Sequence, residues 1–107
     1  MVRTKVQRAV RYLEQRLRDG GVNVSRIVLF GSHARGRGTA DSDLDVAIVS
    51  EDFRGRGILE RADMTTQAEV ETIRKFLVPF DIVTLTPEEY ESGTSLVARF
   101  AQDGVTL

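Results

Sequence analysis

Two aspartates separated by one residue are the side chains in this sequence with the clearest chemical use. Asp43 and Asp45 stand at the start of an apolar run, residues 46–49 (VAIV), which has the composition of a short strand. Residues at positions i and i+2 of a strand point to the same face, with Cα atoms roughly 6.5–7 Å apart. Two carboxylates so placed can hold divalent cations between them, and their hard oxygen ligands suit Mg²⁺.

A turn that can hold phosphate precedes this pair. The apolar run 27–30 stops at Gly31, where the missing Cβ lets a ligand approach the backbone. Ser32 follows as a predicted helix start, and the free N–H groups of a first helical turn bind anions. A phosphate-binding turn followed by a metal-binding carboxylate pair predicts phosphoryl or nucleotidyl transfer.

These motifs resemble a known signature. Gly31-Ser32, ten intervening residues and Asp43-Leu44-Asp45 are similar to the signature of the DNA polymerase beta-like nucleotidyltransferase superfamily. The fuller strings at 31–36 (GSHARG) and 42–45 (SDLD) resemble its minimal nucleotidyltransferase branch, in which many members are antitoxins paired with HEPN-domain toxins. The resemblance covers nearly the whole chain, and the two motifs at this spacing are far more specific than a lone Asp-x-Asp.

The hydrophobic pattern predicts the elements that must position these residues. In chain order they are a helix over 3–18, a strand over 26–30, a short helix over 32–35, a loop at 37–41, a strand over 44–49, a mobile connection at 51–57, a helix over 58–78, a strand over 80–85 and a last helix from 86 to about 103. The predicted core stripe of the first helix is Val6, Val10, Leu13 and Leu17, and that of the long central helix is Leu59, Ala62, Val70, Ile73 and Leu77. The last helix carries Tyr90, Leu96, Val97 and Phe100, with Gly93 as an interior weakness.

Asp81 is the third acidic residue expected at the site. It starts the strand over 80–85 between apolar neighbours, where a carboxylate is costly unless it is paired or metal-bound. Taken alone, it also fits an ordinary capping or surface aspartate. The resemblance implies a third carboxylate on this strand, which favours the site.

Convergence of three carboxylates predicts the topology. Gly31 ends the first strand and Asp43 begins the second, so these two strands should be antiparallel. The second and third strands both begin at carboxylates, so they should be parallel, joined by the helix over 58–78 as a right-handed crossover. The prediction is an α/β (α+β) fold of the polymerase beta-like nucleotidyltransferase type. It has a small mixed sheet of three to four strands with packed helices, in a single domain over residues 1–107.

The charges suggest a mechanism. Two metal ions about 3.5–4 Å apart can activate an attacking hydroxyl and neutralise a leaving pyrophosphate. The resemblance implies ATP as the nucleotide and two Mg²⁺ ions. The expected catalytic and metal-binding residues are Asp43, Asp45 and Asp81, and the expected phosphate-binding residues are Gly31, Ser32 and Arg35. An ordinary surface or ion-paired arginine is an equally good interpretation of Arg35.

Other polar residues have two interpretations each. His33, the only histidine, is expected to pack locally rather than to act as a general base. Arg54 and Arg56 are either exposed loop arginines or contacts for a phosphate or acceptor. The basic residues of the first helix form either a solvated face or a contact surface for an acidic or nucleic-acid partner; they are Arg3, Lys5, Arg8, Arg11, Arg16 and Arg18.

Composition narrows the function classes. With 41% hydrophobic residues in 107, the chain can bury one core, and the absence of cysteine excludes disulfides and thiolate chemistry. The net charge of −1 gives no global case for nucleic-acid binding, and nucleic acid is not expected as the direct substrate. The first ten residues lack a signal-type apolar region and no run approaches membrane-spanning length, so a cytoplasmic protein without a membrane partner is expected.

The resemblance implies that the protein transfers AMP from ATP to a hydroxyl group, that of a tyrosine in a partner HEPN toxin. The protein would then act as an antitoxin, and a homo- or hetero-oligomer is expected. The few polar loops leave no pocket for a free acceptor, so we expect the acceptor to dock around 51–57, the turn at 35–41 and the last helix. Two alternatives stay open. One is a non-catalytic binding module that neutralises its partner by occupancy, and the other is a stand-alone nucleotidyltransferase acting on a small-molecule hydroxyl. A DNA polymerase is disfavoured by size and charge.

Overall fold

A four-stranded sheet with helices on both faces organises the computed structural model, which describes residues 3–39 and 42–107. The elements are α1 (Thr4–Asp19), β1 (Arg26–Phe30), α2 (Gly31–Ala34), β2 (Leu44–Val49), a 3₁₀ turn (Glu51–Phe53), α3 (Ile58–Phe76), β3 (Phe80–Leu85), α4 (Pro87–Ser92), α5 (Leu96–Gln102) and β4 (Val105–Thr106). The predicted loop at 37–41 extends into residues 40 and 41, which lie outside the described residues. No helix of the described residues is long and apolar enough to cross a bilayer.

The strand order β3-β2-β1-β4 confirms the predicted mixed sheet. β1 pairs antiparallel with β2, and β2 pairs parallel with β3, as the convergence of the carboxylates predicts. β4 adds two residues antiparallel to the other side of β1, and the hydrophobic pattern did not predict it. β3 and β4 are therefore the two edges of the sheet.

One sheet face, which we name the α1/α3 face, packs against those two helices. Its strand residues are Ile27, Leu29, Leu44, Val46, Ile48, Phe80 and Ile82, which alternate along the strands as period-two burial requires. The predicted stripe of α1 is confirmed, because Val6, Val10, Leu13 and Leu17 are all buried. The rings of Tyr12 and Phe76 pack in a T-shaped arrangement with their centroids 5.7 Å apart, which joins α1 to the end of α3.

The stripe predicted for α3 is wrong. Four of its five members are exposed, namely Leu59, Ala62, Val70 and Leu77, whereas the buried residues of α3 are Thr65, Ala68 and Thr72. The buried threonines hide their hydroxyls inside the helix: Thr72 Oγ1 donates to the Ala68 carbonyl at 2.7 Å. A threonine so paired packs as a small branched residue, which lets α3 lie close to α1. The larger apolar side chains are left on the outer surface.

The opposite face, which we name the α4/α5 face, is covered at one end only. Its buried cluster contains Val28, Ala47, Val49, Leu85, Tyr90, Ala98 and Ala101. The predicted last helix is two helices, because Gly93 adopts a left-handed conformation (φ 59°) that ends α4. The predicted start is confirmed by a capping box between Thr86 and Glu89. Of the apolar side chains assigned to that helix, Tyr90 is buried, whereas Leu96, Val97 and Phe100 are exposed.

The connection at 51–57 is anchored rather than mobile at its start. Phe53 is fully buried in the core on the α1/α3 face. Ser50 Oγ accepts from the Asp52 amide at 3.1 Å and donates to the Asn23 carbonyl at 2.6 Å. Arg54 pairs with Glu51 and Glu88 on the surface. The polar composition of the segment did not indicate that Phe53 would be buried.

Candidate active site

Strand pairing brings two of the three expected carboxylates side by side. Asp45 of β2 is the register partner of Asp81 of β3, and on its other side it is opposite Phe30, the last residue of β1. Because Leu44 and Val46 belong to the α1/α3 face, strand alternation puts Asp45 on the α4/α5 face. The same alternation puts Asp81 there. Both lie at the end of that face which α4 and α5 leave uncovered.

The electrostatics of Asp45 reflect this crowding. Burial is the main cause that raises its pKa above the ordinary value of 3.8, and the negative charges of Asp81 and Asp43 raise it further. His33 acts in the opposite direction. Asp43 and Asp81 are exposed, whereas Asp45 is half-buried between them and the Gly-Ser turn. A cation placed among them would relieve the repulsion that raises the pKa of Asp45.

Gly31 is required by its contact with Asp45. A Cβ built on Gly31 would overlap the Asp45 carboxylate, and the glycine also has a positive φ of 73°. The backbone therefore turns directly against the central carboxylate as β1 becomes α2. This is the close backbone approach that the sequence predicts for the Gly-Ser turn.

The first turn of α2 presents backbone donors beside the carboxylates. Phe30 precedes the helix in an extended conformation and provides no side-chain cap for it. The first amides of a helix have no intrahelical acceptor, so those of Gly31 and Ser32 are suited to an anion. Ser32 is half-buried, whereas Arg35 at the end of α2 is exposed. The geometry is compatible with both interpretations of Arg35.

His33 packs locally. The residue is 8% exposed, and its Nε2 lies 3.1 Å from the Ser42 carbonyl oxygen. Gly38 lies against the ring so closely that a Cβ there would overlap it. His33 thus connects the Gly-Ser turn to the residue that precedes Asp43, and it positions the segment rather than facing an acceptor.

The donor set fits a hard divalent cation, although the side chains do not converge as they stand. Within residues 3–39 and 42–107, no three His, Asp or Glu side chains are close enough together to hold a metal ion. Asp45 and Asp81 are neighbours across β2 and β3, and Asp43 is close enough to raise the pKa of Asp45. Asp43 and Asp81 are exposed, so their side chains have the rotational freedom to turn toward a bound cation.

Glu69 is a carboxylate near the site that the sequence reasoning missed. It lies on α3, half-buried, and its pKa is raised first by burial and then by the charge of Asp81. No sequence signal identified it, because the buried face of α3 was assigned to the wrong residues. Glu69 extends the acidic character of the site from the sheet to the helix.

A cavity of about 660 Å³ adjoins Asp81. Its lining residues come from the 51–57 connection, α3, β3, α4 and α5, and they include Arg56, Ile58, Ala62, Glu69, Asp81, Val83 and Val97. The sequence did not predict this cavity, since the polar loops were expected to leave no pocket for a free acceptor. The pocket depends on the gap between α3 and the edge of the sheet, which a sequence pattern does not encode.

Arg61 closes the far end of this cavity. It donates from Nη1 to Glu89 Oε1 at 2.8 Å and to the Thr84 carbonyl at 3.3 Å, and from Nε to the Arg56 carbonyl at 2.9 Å. Although burial acts to raise the pKa of Glu89, its hydrogen bonds with Arg61 and Thr86 bring the pKa below the ordinary value. The cavity is thus acidic at the Asp81 end and neutralised by an ion pair at the other.

Comparison with known proteins identifies the domain family of the chain. The nucleotidyltransferase domain family matches residues 7–105 of this chain. Among curated protein sequences, none matches the chain. A match that spans nearly the whole chain includes the Gly-Ser turn and all three aspartates.

Solved structures agree on the fold. A candidate nucleotidyltransferase from Sulfolobus solfataricus is 20% identical with a TM-score of 0.63, covering 99% of this chain and 87% of that chain. A candidate minimal nucleotidyltransferase is 24% identical with a TM-score of 0.62, covering 100% of this chain and 97% of that one. A bol-like protein from Babesia bovis is 25% identical with a TM-score of 0.54, covering 80% and 93%. Because differently described proteins have similar folds, the fold alone does not decide the function.

Proposed function

Because the chain belongs to the nucleotidyltransferase domain family, we propose that it transfers AMP from ATP to a tyrosine hydroxyl of a partner protein. The proposed partner is a HEPN-type toxin, and the transfer makes this chain its antitoxin. This choice of partner rests on the resemblance of the GSHARG and SDLD strings to minimal nucleotidyltransferases. One observation supports catalysis best: Asp45 lies between Gly31 and Asp81 at the open end of the α4/α5 face.

The proposed roles follow from the position of each group. The amides of Gly31 and Ser32 bind the β- and γ-phosphates and so orient the nucleotide. Asp43, Asp45 and Asp81 are the residues that would hold Mg²⁺, which when bound neutralises the triphosphate and the leaving pyrophosphate. Of the three aspartates, Asp81 is the one that lines the cavity, so it is the one nearest to an acceptor bound there.

The reaction is an in-line displacement at the α-phosphorus. The hydroxyl oxygen of the acceptor forms a bond to that phosphorus, and the bond to the bridging oxygen of the β-phosphate breaks. Pyrophosphate leaves, and the hydroxyl proton passes to Asp81, which is exposed and free to accept it. The sheet and the Gly-Ser turn fix the backbone positions from which these groups act.

The proposal is tested by co-expressing the chain with the product of the adjacent reading frame and measuring the intact mass of that partner. We expect AMP-sized additions with the wild-type chain, ATP and Mg²⁺, and none with Asp43→Asn. Calorimetric titration of the wild-type chain with ATP should show binding that depends on Mg²⁺. A partner that binds tightly but stays unmodified replaces the enzymatic function with inhibition by occupancy.

A small hydroxyl compound is the second candidate acceptor, because the cavity beside Asp81 is large enough to admit one. Incubation of the chain alone with labelled ATP and a set of small alcohols and phenols distinguishes the two. Label on a small molecule, with none on the partner, assigns the chain as a stand-alone transferase.

A further inference from the structure

The outer edge of β3 is free to pair with another strand. β3 is an edge strand whose neighbour in the described sheet is β2. In a parallel pair, residues along one strand alternately direct their N–H and C=O groups toward the neighbour and away from it. The Leu44 amide bonds the Pro79 carbonyl and the Ser50 amide bonds the Leu85 carbonyl, both at 2.9 Å. Odd-numbered residues of β3 therefore face β2, and Phe80, Ile82 and Thr84 face outward.

The cavity beside Asp81 lies along this outer edge. All residues from 80 to 84 line it, which means that the strand edge, and not one sheet face, is its floor. Ile58 and Ala62 of α3 form one wall, and Val97 of α5 contributes to the other. Arg61 bonds the outward Thr84 carbonyl, so the open part of the edge is the part nearest the carboxylates. An unpaired strand edge between two apolar walls is the geometry of a site for strand addition.

We infer that the acceptor binds as an extended segment of the partner protein, which adds a strand to β3 between α3 and α5. This inference rests on the proposed function and deepens it by stating how the acceptor is held. A strand added to a sheet lies about 4.8 Å from its neighbour, and facing residues share a sheet face. A residue opposite Asp81 therefore projects on the α4/α5 face, directly beside the carboxylates. This is the position of the tyrosine, serine or threonine that receives the nucleotide.

The charges of the groove indicate which residue of the bound segment should stand next to the hydroxyl residue. Residues adjacent to it in the added strand project to the opposite side, toward α3 and Glu69. In the part of the chain that the structure describes, no ion pair includes Glu69. The acidic end of the groove is thus complementary to a lysine or arginine next to the hydroxyl residue. Apolar residues farther along the segment contact Ile58 and Val97.

The test uses a short blocked peptide with a central tyrosine, a lysine on each side and valines beyond, added at millimolar concentration to the full chain with Mg²⁺ and a non-hydrolysable ATP analogue. Backbone amide hydrogen exchange is the readout. In the free protein the amides of Ile82 and Thr84 should exchange quickly, and those of Val83 and Leu85, bonded to β2, slowly. The peptide should slow exchange at Phe80 and Ile82 by about tenfold or more, with no change at β4.

Peptide variants test the recognition. Glutamates in place of the lysines should abolish the slowing. N-methylation of the tyrosine and of the following lysine should do the same, because one of the two methyl groups faces β3 in either strand direction. Persistence of the slowing with the N-methylated peptide overturns strand addition.

A matched pair of protein variants locates the groove. Ile58 and Leu77 are at opposite ends of α3 and are 81% and 80% exposed, but only Ile58 lines the cavity. Ile58→Lys should weaken peptide binding by about fivefold or more, the effect of placing a charge against an apolar contact, and Leu77→Lys should leave it unchanged. Equal effects of the two substitutions overturn the assignment of the groove.

The remaining outcomes separate this inference from the proposed function. If AMP is transferred to a protein tyrosine but amide exchange at Ile82 is not slowed, the transferase function stands and the assignment of the groove as the acceptor site is wrong. Slowed exchange in the presence of the lysine peptide, with no transfer to it from ATP, supports the groove and removes tyrosine as the acceptor. If Phe80 and Ile82 are already protected in concentrated protein without peptide, a second copy of the chain occupies the edge, and the inference is wrong.

Discussion

The two ends of the α4/α5 face are built from the same strands and yet have opposite chemistry. At the covered end, Ala47, Val49 and Leu85 pack beneath Tyr90 and Ala98. On the same side of these strands, Asp45 lies two residues before Ala47 and Asp81 lies four residues before Leu85, and α4 and α5 do not cover them. The strand alternation is continuous, so the cover alone decides whether a position stabilises the fold or is open to a ligand. One end of this sheet face thus stabilises the fold, and the other end carries the carboxylates proposed for chemistry.

The largest effect should follow from removing the central charge at the open end. Asp45→Asn should lower AMP transfer by about 10³-fold or more, because a preorganised charge at the reacting centre is lost. Asp103→Asn makes the same chemical change at the exposed end of α5 and should leave transfer intact. Transfer of label from α-labelled ATP measures both. Near-normal transfer by Asp45→Asn would remove this residue from the site.

A substitution at the covered end should have the opposite result, a loss of stability with AMP transfer retained. Leu85→Ala deletes a buried side chain, 6% exposed, and should cost about 2–5 kcal/mol of unfolding free energy. Leu96→Ala, at a residue that is 66% exposed, should change stability by at most about 0.5 kcal/mol. Urea denaturation measures both, and transfer per folded molecule should remain near wild type. Loss of transfer in folded Leu85→Ala protein would show that the two ends are coupled.

The pH dependence of stability should distinguish the two ends in metal-free protein. The pKa of Asp45 is raised in the folded state by burial and by Asp81 and Asp43, so folding favours its protonated form. The stability that this contributes is complete below the ordinary pKa of 3.8 and is lost as the pH rises through the raised value. Asn mimics the protonated acid. Asp45→Asn should therefore melt above the wild type near neutral pH, and the two should converge toward pH 4.

The same measurement has a control at the covered end. Leu85→Ala should melt below the wild type by a margin that does not vary across this pH range, since it removes no charge. Added Mg²⁺ should raise the melting temperature of the wild type more than that of Asp45→Asn. If the wild type and Asp45→Asn differed equally at all pH values, the effect would be one of packing and not of titration.

The smallest effect should come from the phosphate turn. Ser32→Ala removes a hydroxyl but leaves the backbone donors of α2, so one hydrogen bond worth about 0.5–1.5 kcal/mol is lost. The kcat/KM for ATP should fall by about tenfold or less. Steady-state kinetics with varied ATP measures this change. A loss above about 10²-fold would show that the hydroxyl, rather than the backbone, carries the phosphate contact.

The parts of the site that the sequence predicted are those that depend on local chain geometry. Strand alternation after Asp43 and the change from apolar strand to Gly31-Ser32 are properties of a few consecutive residues, and the structure has both. The strand bounds over 26–30, 44–49 and 80–85 agree with the predicted ones for the same reason. The stripe of α1 was also predictable, because its apolar residues alternate with charged ones and leave a single apolar side.

Tertiary packing alone decided the rest. In α3, apolar residues such as Leu59 and small ones such as Thr65 and Ala68 are on different sides, and the sequence favoured the apolar side. The close approach of α1 selects the small side, which in turn places Glu69 near Asp81 and opens the cavity along β3. These features depend on the distance between elements remote in sequence. No local pattern carries that distance, because it is set by the combined volumes of the side chains that meet in the core.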